Sequence, residues 1–254
     1  MNSKHIKATV VSRRDITSEL WVVRIRPEEP IPFKAGQYVT IGMTASEKMI
    51  ERPYSVASAP QEAELEFFLE LVPQGQLTPH LYPVTVGGEV FMRRAAKGRF
   101  LLDTASGHAN HFLVATVTGV APYVGMVREM AARADRGETI PFRIGVLQAA
   151  SVSAEFGYYE ELSALARKYP WLSYVASISR TWQDPDWKGE LGRAEEIVRK
   201  HLDALGFTAA DTTAYVCGNP DMIENAKGVF KRAGFSKESV KEEVYWIPEK
   251  GASA

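Results

Sequence analysis

The sequence predicts two domains of different classes, an antiparallel β-barrel or sandwich at residues 1–103 and a Rossmann-like α/β domain with a parallel sheet at residues 111–254. Before Asp103, short runs rich in β-branched and aromatic residues recur at roughly ten-residue spacing between glycines and prolines, as they do in barrels and sandwiches. After Asp103, strand-like and helix-like runs alternate, which predicts a parallel sheet with helices on both faces. The small polar run 104–110 is interpreted as the linker.

Local residue preferences give the order of the elements. In the first domain, β-branched and aromatic residues mark the strands, which we expect at 6–11, 20–25, 34–41, 54–58, 65–72 and 89–100, with a helical interruption near 77–81. In the second domain, we expect strands at 111–117, 142–147, 172–178, 213–216 and 240–246, and helices at 123–136, 158–168, 193–205 and 221–233. Ligands of parallel sheets bind beyond the carboxyl ends of the strands, so the residues that follow these strands are candidates for a site.

Composition narrows the classes of function. The 254 residues are 45% hydrophobic and 24% charged, which is typical of a globular protein. A net charge of −1 argues against nucleic acid as the main partner. The single cysteine, Cys217, excludes a disulfide framework and a four-cysteine metal or iron–sulfur site within the chain, and the five histidines have no metal-ligand spacing. The sequence contains no apolar signal segment and no spanning helix, so we expect a soluble, cytoplasmic protein without membrane insertion.

The most informative motif is Arg52-Pro53-Tyr54-Ser55. It combines a cation suited to phosphate, a proline that fixes the backbone, an aromatic face and a small hydroxyl. Side chains alternate along a strand, so Arg52 and Tyr54 would share one face and Ser55 the other. A cofactor with a planar ring and a pyrophosphate would use the whole set. The alternative is an ordinary edge strand with a proline at its start.

Two further motifs suit a diphosphate. Gly75 lies in a turn that follows the 65–72 strand and feeds a helix, whose free amides and positive end favour an anion. In the second domain, the apolar 111–117 strand runs into Thr118 and Gly119, and Pro122 follows close to a helix start, where its missing N–H costs nothing. The chain contains no G-x-G-x-x-G fingerprint. A plain strand-to-helix turn remains the alternative for the Gly75 motif.

The last two motifs lie near the C-terminus. Cys217 ends a strand just before a helix, with Gly218, Asn219 and Pro220 following, where active sites of parallel sheets gather. A buried, unreactive thiol is the alternative interpretation. The tail contains Glu243, Tyr245 and Trp246 on the last predicted strand, which core packing at an edge would also explain.

The order of these five motifs resembles the plant-type ferredoxin–NADP(H) reductase family over nearly the whole chain, most of all its short bacterial members, which end in an acidic residue, one spacer and Tyr-Trp. Here eight residues follow Trp246. The resemblance implies an FAD-binding barrel, an NADP(H)-binding α/β domain, and hydride transfer between the nucleotide and the flavin N5 atom. The protein would orient its cofactors while the cofactors supply the chemistry.

The resemblance also implies roles for individual residues. Arg52 would meet the FAD pyrophosphate, Tyr54 would stack on the flavin, and Ser55 would bond to its N5 atom. The residues implied for FAD are Arg52, Pro53, Tyr54, Ser55, Gly75, Leu77, Thr78, Tyr245 and Trp246. Those implied for NADP are Thr118, Gly119, Pro122, Arg180, Arg193, Gly218 and Met222. Cys217 and Glu243 would line the nicotinamide pocket, so the catalytic set is Ser55, Cys217 and Glu243, with no metal.

Two positions depart from the family pattern. Val117 stands where the family usually has the first glycine of Gly-Thr-Gly. The 142–147 strand usually leads into an arginine for the 2′-phosphate, whereas Gln148-Ala149-Ala150 follows it here. Arg180 and Arg193 remain, and arginine forks suit phosphate, so we expect NADP(H) to be preferred and NADH to be better tolerated than usual.

The resemblance further implies a separate one-electron carrier, ferredoxin or flavodoxin, because this chain has no iron–sulfur domain. Both carriers are usually acidic, and a basic cluster would steer them; its members are Arg93, Arg94, Lys97 and Arg99. A solvated basic hairpin is the alternative. Two other functions stay open: an NAD(P)H-dependent reductase subunit of an oxygenase or other redox complex, and a flavin-binding electron-transfer or regulatory subunit without nucleotide turnover.

Overall fold

A computed structural model describes residues 4–45 and 47–245 of the chain. These residues divide into two compact units. The first contains the chain up to Leu102 together with Ala121–Ile140 and Ala154–Tyr169; the second contains Asp103–Val120, Pro141–Ser153 and the chain from Pro170 onward. Two helices that follow the linker therefore pack with the first unit. The assignment of cofactor domains to residues 1–103 and 111–254 stays a prediction.

The first unit contains one antiparallel sheet. Its strands are β1 (His5–Asp15), β2 (Leu20–Pro27), β3 (Tyr38–Ala45), β4 (Lys48–Ser55), β5 (Leu65–Glu70) and β6 (Glu89–Arg93), and its helices are α1 (Thr78–Leu81), α2 (Ala121–Asp135) and α3 (Tyr159–Lys168). Within the described residues the strand order is β4-β3-β6-β1-β2-β5. The sheet curls into a half-barrel because alternate residues of its strands, such as Ile6, Val23, Ile41 and Phe67, share one buried core. This confirms the predicted class.

The prediction of a strand at 54–58 is wrong, because the observed strand, β4, is Lys48–Ser55. The β3–β4 hairpin pairs Ala45 with Lys48 and Tyr38 with Ser55, so Arg52-Pro53-Tyr54-Ser55 ends a strand. After Ser55 the chain leaves β3, and the Ala57 amide donates to the Glu66 carbonyl of β5 at 2.8 Å.

The second unit contains a parallel sheet. Its strands are β7 (Asn110–Thr116), β8 (Arg143–Ala150), β9 (Leu172–Ile178), β10 (Glu190–Leu191), β11 (Thr212–Gly218) and β12 (Val240–Val244), and its helices are α4 (Ala194–Leu205) and α5 (Pro220–Arg232). The order among the described residues is β10-β9-β8-β7-β11-β12. The chain adds strands on one side of β7, from β8 to β10, and then returns to place β11 on the other side of β7. The carboxyl ends of β7 and β11 therefore form a topological switch point, the usual ligand site of such sheets.

Helix α2 shows why the apolar spacing predicted a helix. Val124, Val127, Met130 and Ala131 are all buried, as the 3.6-residue period requires. None of the helices in the described part of the chain is both long and apolar enough to cross a membrane.

Candidate functional site

Strand β4 presents an exposed arginine at the edge of the first unit's sheet. Among the residues that the structure describes, β4 pairs with β3 alone, and an edge strand tolerates the missing N–H of Pro53. The Arg52 guanidinium donates to the Glu51 carbonyl at 2.7 Å and to the Gln76 side-chain oxygen. Arg52 is thereby held beside the 72–77 turn that precedes α1, so the structure brings the first two motifs together.

The 72–77 turn is closed by its own hydrogen bonds. The Gly75 amide donates to the Val72 carbonyl at 2.8 Å, and the Thr78 hydroxyl accepts from the Val72 amide at 3.0 Å. A Cβ on Gly75 would lie 2.9 Å from the Val72 oxygen, so glycine is required for the turn. Leu77, which is buried, anchors the turn in the core. The exposed Arg52 guanidinium beside this turn fits an anionic group such as a diphosphate.

Tyr54 and Ser55 follow Arg52 at the end of β4. The Tyr54 ring packs against the core of the half-barrel but is only partly buried. Burial raises the pKa of its phenol to about 12, and the nearby Arg52 charge lowers it only in part. The ring therefore stays neutral at ordinary pH, which suits stacking. Ser55 is 4% exposed and lies opposite Tyr38 of β3.

The switch point of the second unit is a tightly packed turn. β7 leads into the turn Val117–Val120, where a Cβ on Gly119 would lie 2.3 Å from the Cys217 carbonyl oxygen. Gly218 at the end of β11 has φ +129°, and a Cβ there would lie 2.2 Å from the Thr116 hydroxyl oxygen. The two strand ends thus approach backbone to backbone, and no larger residue fits at either glycine. A turn of this kind, made of small residues at the end of a parallel strand, suits a nucleotide diphosphate.

Hydrogen bonds fix the ends of this turn. The Asn219 amide donates to the Thr116 hydroxyl at 2.8 Å. The Asn219 side chain caps α5 by accepting from the amides of Asp221 at 2.9 Å and Met222 at 3.2 Å. Met222 is buried in the same core as β7. Pro122 is buried in the first turn of α2, which begins directly after Val120.

Cys217 is a buried, neutral thiol. It lies between Ala115 of β7 and Glu243 of β12 in the sheet register. Burial raises its pKa well above the usual range, the Glu243 charge raises it further, and a hydrogen bond with the Tyr245 side chain acts in the opposite direction. A thiolate nucleophile is therefore disfavoured here. The structure does bring Cys217, Glu243 and Tyr245 together, whereas Trp246 lies outside the described residues.

The two expected phosphate-binding arginines belong to the same edge of the sheet. Arg180 is exposed just beyond the carboxyl end of β9, and Arg193 is exposed at the residue before α4. The Gly192 amide donates to the Ile178 carbonyl at 2.9 Å, and the Ser177 hydroxyl donates to the Gly192 carbonyl at 2.6 Å. These bonds hold the chain before Arg193 against the end of β9.

Gln148 is a residue that sequence reasoning missed. It was expected after a strand, but β8 continues to Ala150 and Gln148 lies inside it, fully buried. Its amide nitrogen donates to the Val117 carbonyl at 3.3 Å, and its oxygen accepts from the Tyr174 hydroxyl at 2.8 Å. A polar residue within the apolar run Ile144–Ala150 was the only signal in the sequence.

Part of the basic cluster is already neutralised. Arg93 makes two bonds to the Glu51 carboxylate, at 2.8 and 2.7 Å, and Arg94 pairs with Glu29. The hydrogen bond from Arg93, followed by that from His5, lowers the pKa of Glu51 to about 2 against the opposing effect of burial. Lys97 and Arg99 are exposed. The described residues contain no group of three or more side chains able to hold a metal ion.

Comparison with known proteins gives matches along most of the chain. The family model of the oxidoreductase FAD-binding domain matches residues 7–101, and that of the oxidoreductase NAD-binding domain matches residues 113–228. A flavodoxin/ferredoxin–NADP reductase of Rhodobacter capsulatus is 31% identical over 243 residues, covering 91% of this chain and 88% of the relative. The reductase component of a phenol 2-monooxygenase from Pseudomonas sp. (strain CF600) is 28% identical over 214 residues, which cover 84% of this chain and 57% of that protein.

A solved structure has the same fold. The ferredoxin NADP+ reductase of Neisseria gonorrhoeae, crystallised with FAD and NADP, superposes with a TM-score of 0.85 and 21% identity, and the match covers 96% of this chain and 100% of that chain.

Proposed function

Because this chain belongs to the flavodoxin/ferredoxin–NADP reductase family, we propose that it exchanges electrons between NADP(H) and a small one-electron carrier, ferredoxin or flavodoxin. FAD, held by Arg52 and the 72–77 turn, would supply the hydride and single-electron chemistry. The observation that carries the proposal is that each unit has its own arrangement for a diphosphate. One is the Arg52 edge with the 72–77 turn, and the other is the glycine-lined switch point.

In the first unit, the chain's contribution is to hold and orient FAD. Arg52 supplies the positive charge, with Gln76 keeping its guanidinium beside the turn. The main chain around Gly75, Leu77 and Thr78 receives the diphosphate, and Pro53 fixes the backbone that leads to the ring. Tyr54 presents a neutral aromatic face for the flavin, and Ser55 provides the hydroxyl assigned to N5.

In the second unit, the chain's contribution is to bind the pyridine nucleotide. Thr118, Gly119 and Gly218 border the diphosphate, and Met222 lies in the first turn of α5, the helix that begins beside Gly218. Pro122 is assigned to NADP by the resemblance alone. Arg180 and Arg193 supply two guanidiniums for a 2′-phosphate, which supports a preference for NADPH over NADH.

The residues at the ends of β11 and β12 are assigned to the nicotinamide. Cys217 is neutral because it is buried, so it acts by packing and hydrogen bonding, and no covalent step is assigned to it. Glu243 provides a carboxylate at the neighbouring position, while Tyr245 and Trp246 are assigned to FAD. A cytoplasmic location, expected from the sequence, is also part of the proposal.

The first experiment is anaerobic titration of the purified, FAD-loaded protein with NADPH and with NADH. We expect NADPH to bleach the flavin absorbance and NADH to do so at a lower rate. A flavin that stays oxidised with both nucleotides would refute the reductase function and favour the flavin-binding subunit without nucleotide turnover. A protein that takes up no flavin would refute every version of the proposal.

Two variants test the residue roles. Arg52→Ala should weaken FAD binding roughly 10- to 150-fold, the loss expected for hydrogen bonds to a charged group. Arg26→Ala is the matched control, because Arg26 is an exposed arginine of the same sheet paired with Glu64. Ser55→Ala should retain FAD while slowing its reduction by NADPH. Full FAD occupancy in the Arg52 variant at limiting FAD would count against the assignment.

A carrier screen separates the proposal from the main alternative, a reductase component of an oxygenase, which the resemblance to the phenol 2-monooxygenase reductase favours. Reduction of isolated ferredoxin or flavodoxin supports the proposal. Carrier docking is tested with Lys97→Glu/Arg99→Glu, because Arg93 and Arg94 already have acidic partners. The double variant should slow carrier reduction and weaken its salt dependence, and electron transfer to a small inorganic acceptor should not change. Lys231→Glu/Arg232→Glu, an exposed pair at the end of α5, is the control; equal effects would exclude docking at Lys97 and Arg99.

A further inference from the structure

We propose that Gln148 is a positioning residue for the nucleotide loop: its side chain holds Val117 in a left-handed backbone conformation and thereby sets the orientation of Thr118 and Gly119. The inference rests on the proposed function, since it assigns this loop to the diphosphate of NADP(H). It adds a residue, and a physical reason for it, to the site described above.

Val117 has an unusual backbone conformation. Its φ is +43°, a value that non-glycine residues adopt rarely and that is a genuine outlier for a β-branched side chain. Such a conformation persists when the surrounding structure enforces it, and it is commonly found next to functional sites. Glycine would adopt this φ without strain. The chain therefore keeps a glycine-like turn with a valine, and some contact has to stabilise it.

Gln148 provides that contact. Its nitrogen donates to the carbonyl of Val117 itself, at 3.3 Å. Its oxygen accepts from the Tyr174 hydroxyl at 2.8 Å, which fixes the orientation of the amide so that the nitrogen faces the loop. The side chain is fully buried, and a buried polar group that lost its partner would be costly. In the sheet register Gln148 lies between Ala115 and Ala176, two small residues that leave room for the amide.

The other side of the loop is fixed by β11. The Asn219 amide bonds to the Thr116 hydroxyl at 2.8 Å, and Gly119 packs against the Cys217 carbonyl, where a Cβ would lie only 2.3 Å from the oxygen. The residues before and after Val117 are thus held by one neighbouring strand, while Val117 is held by the other. Loss of the Gln148 bond would release the strained residue in the middle of the loop.

The test is a double-mutant cycle in the FAD-loaded protein, with Gln148→Leu, Val117→Gly and the two combined. We measure the Kd of NADP+ and the midpoint of thermal unfolding. Gln148→Leu should weaken NADP+ binding about tenfold, as expected for the loss of one or two hydrogen bonds, and lower the midpoint, with the FAD content unchanged. Val117→Gly should bind NADP+ nearly as well as the wild type.

The combined variant separates positioning from packing. Glycine needs no support at this φ, so Val117→Gly should restore most of the binding and part of the midpoint lost in Gln148→Leu. Tyr174→Phe should weaken binding in the same direction by a smaller factor. Thr213→Val is the matched control, because it removes a hydrogen bond of another buried side chain, 2.8 Å to His108, at the amino end of β11; it should leave NADP+ binding unchanged.

Several results would overturn the inference. A Gln148→Leu variant that binds NADP+ with wild-type affinity would exclude a positioning role. If Gln148→Leu weakens NADP+ binding equally with valine and with glycine at position 117, Gln148 acts through core packing. Both outcomes leave the proposed function intact if the wild type binds NADP+ and is reduced by NADPH. A wild type that does neither would refute the proposed function, and the inference with it.

Discussion

The buried ion network of the first unit allows a quantitative prediction for Arg128→Ala. Arg128 lies on α2 with its side chain 16% exposed. It bonds to Glu66 of β5 at 2.9 Å, to the Ala57 carbonyl at 3.2 Å, and to both carboxylate oxygens of Glu161 on α3 at 2.6 and 2.8 Å. One guanidinium therefore joins two helices to the sheet and to the segment that follows Ser55.

The magnitude follows from what the substitution leaves behind. Burial raises the pKa of Glu66, but the charges of Arg128 and Arg24 outweigh it, so its pKa lies below the ordinary value. Breaking a buried ion pair costs about 3–5 kcal/mol. Glu66 keeps Arg24 at 2.6 Å and the Tyr158 hydroxyl at 2.9 Å, and Glu161 is 35% exposed. We therefore expect Arg128→Ala to lower the free energy of unfolding by about 3 kcal/mol, the lower end of this range. For a chain of this size, that corresponds to a fall in melting temperature of about 6–12 °C.

The assay is urea and thermal unfolding at equal FAD saturation, and Arg133→Ala is the control. Arg133 lies on the same helix, its side chain is 35% exposed, and it pairs with Glu138 at 2.8 Å, so its loss should cost less than about 1 kcal/mol. The difference between Arg128→Ala and wild type should shrink in acid, because a carboxylate with a lowered pKa contributes stability above its unfolded pKa and loses it as the pH falls. Equal losses for Arg128→Ala and Arg133→Ala would refute the argument.

Two further predictions concern Glu51 and Asn219. The pKa of Glu51 is lowered to about 2, so its stabilising contribution should be present above about pH 4.5 and disappear as the pH falls toward 2. Glu51→Gln should therefore make the unfolding free energy depend less on pH in acid. Glu89→Gln, which loses an exposed pair with Lys7, should leave that pH dependence unchanged. Asn219→Ala removes the cap of α5 and should lower the free energy of unfolding by about 1 kcal/mol, as measured by urea unfolding. Asn219→Ser should retain most of this stability. An Asn219→Ala variant as stable as wild type would contradict the role of the cap.

The sequence predicted the element order well because the strands and helices of the second unit carry their own periodicity. Strand β9 was predicted at its observed bounds, Leu172–Ile178. The start of β4 was missed for a physical reason: its residues Lys48–Glu51 are not a strand-like run, and they are held extended by pairing with β3. The turn before them has Glu47 at φ +64°, where a glycine or asparagine would have signalled a hairpin.

The site was predictable only in part. Arg52, Tyr54 and the glycines at the switch point stand in short local motifs, so the sequence alone was enough to propose them for ligand contact. From the sequence, Gln148 was noted only because an arginine was expected after this strand. Its hydrogen-bonding role was missed because its partners Val117 and Tyr174 lie 31 and 26 residues away in sequence. A side-chain bond of that kind depends on strand order and register, which a local pattern does not contain.

The residues assigned to ligand contact and the residues that hold them differ in burial. Arg52, Arg180 and Arg193 are exposed, so replacing one of them should change affinity with little effect on folding. Gln148 and Glu66 are buried with specific partners, and Arg128 nearly so; each replacement leaves a strained or unpaired group. Substitutions at the exposed arginines can therefore change ligand preference with little loss of stability. At Gln148, by contrast, a substitution should be tolerated only when residue 117 is replaced by glycine as well.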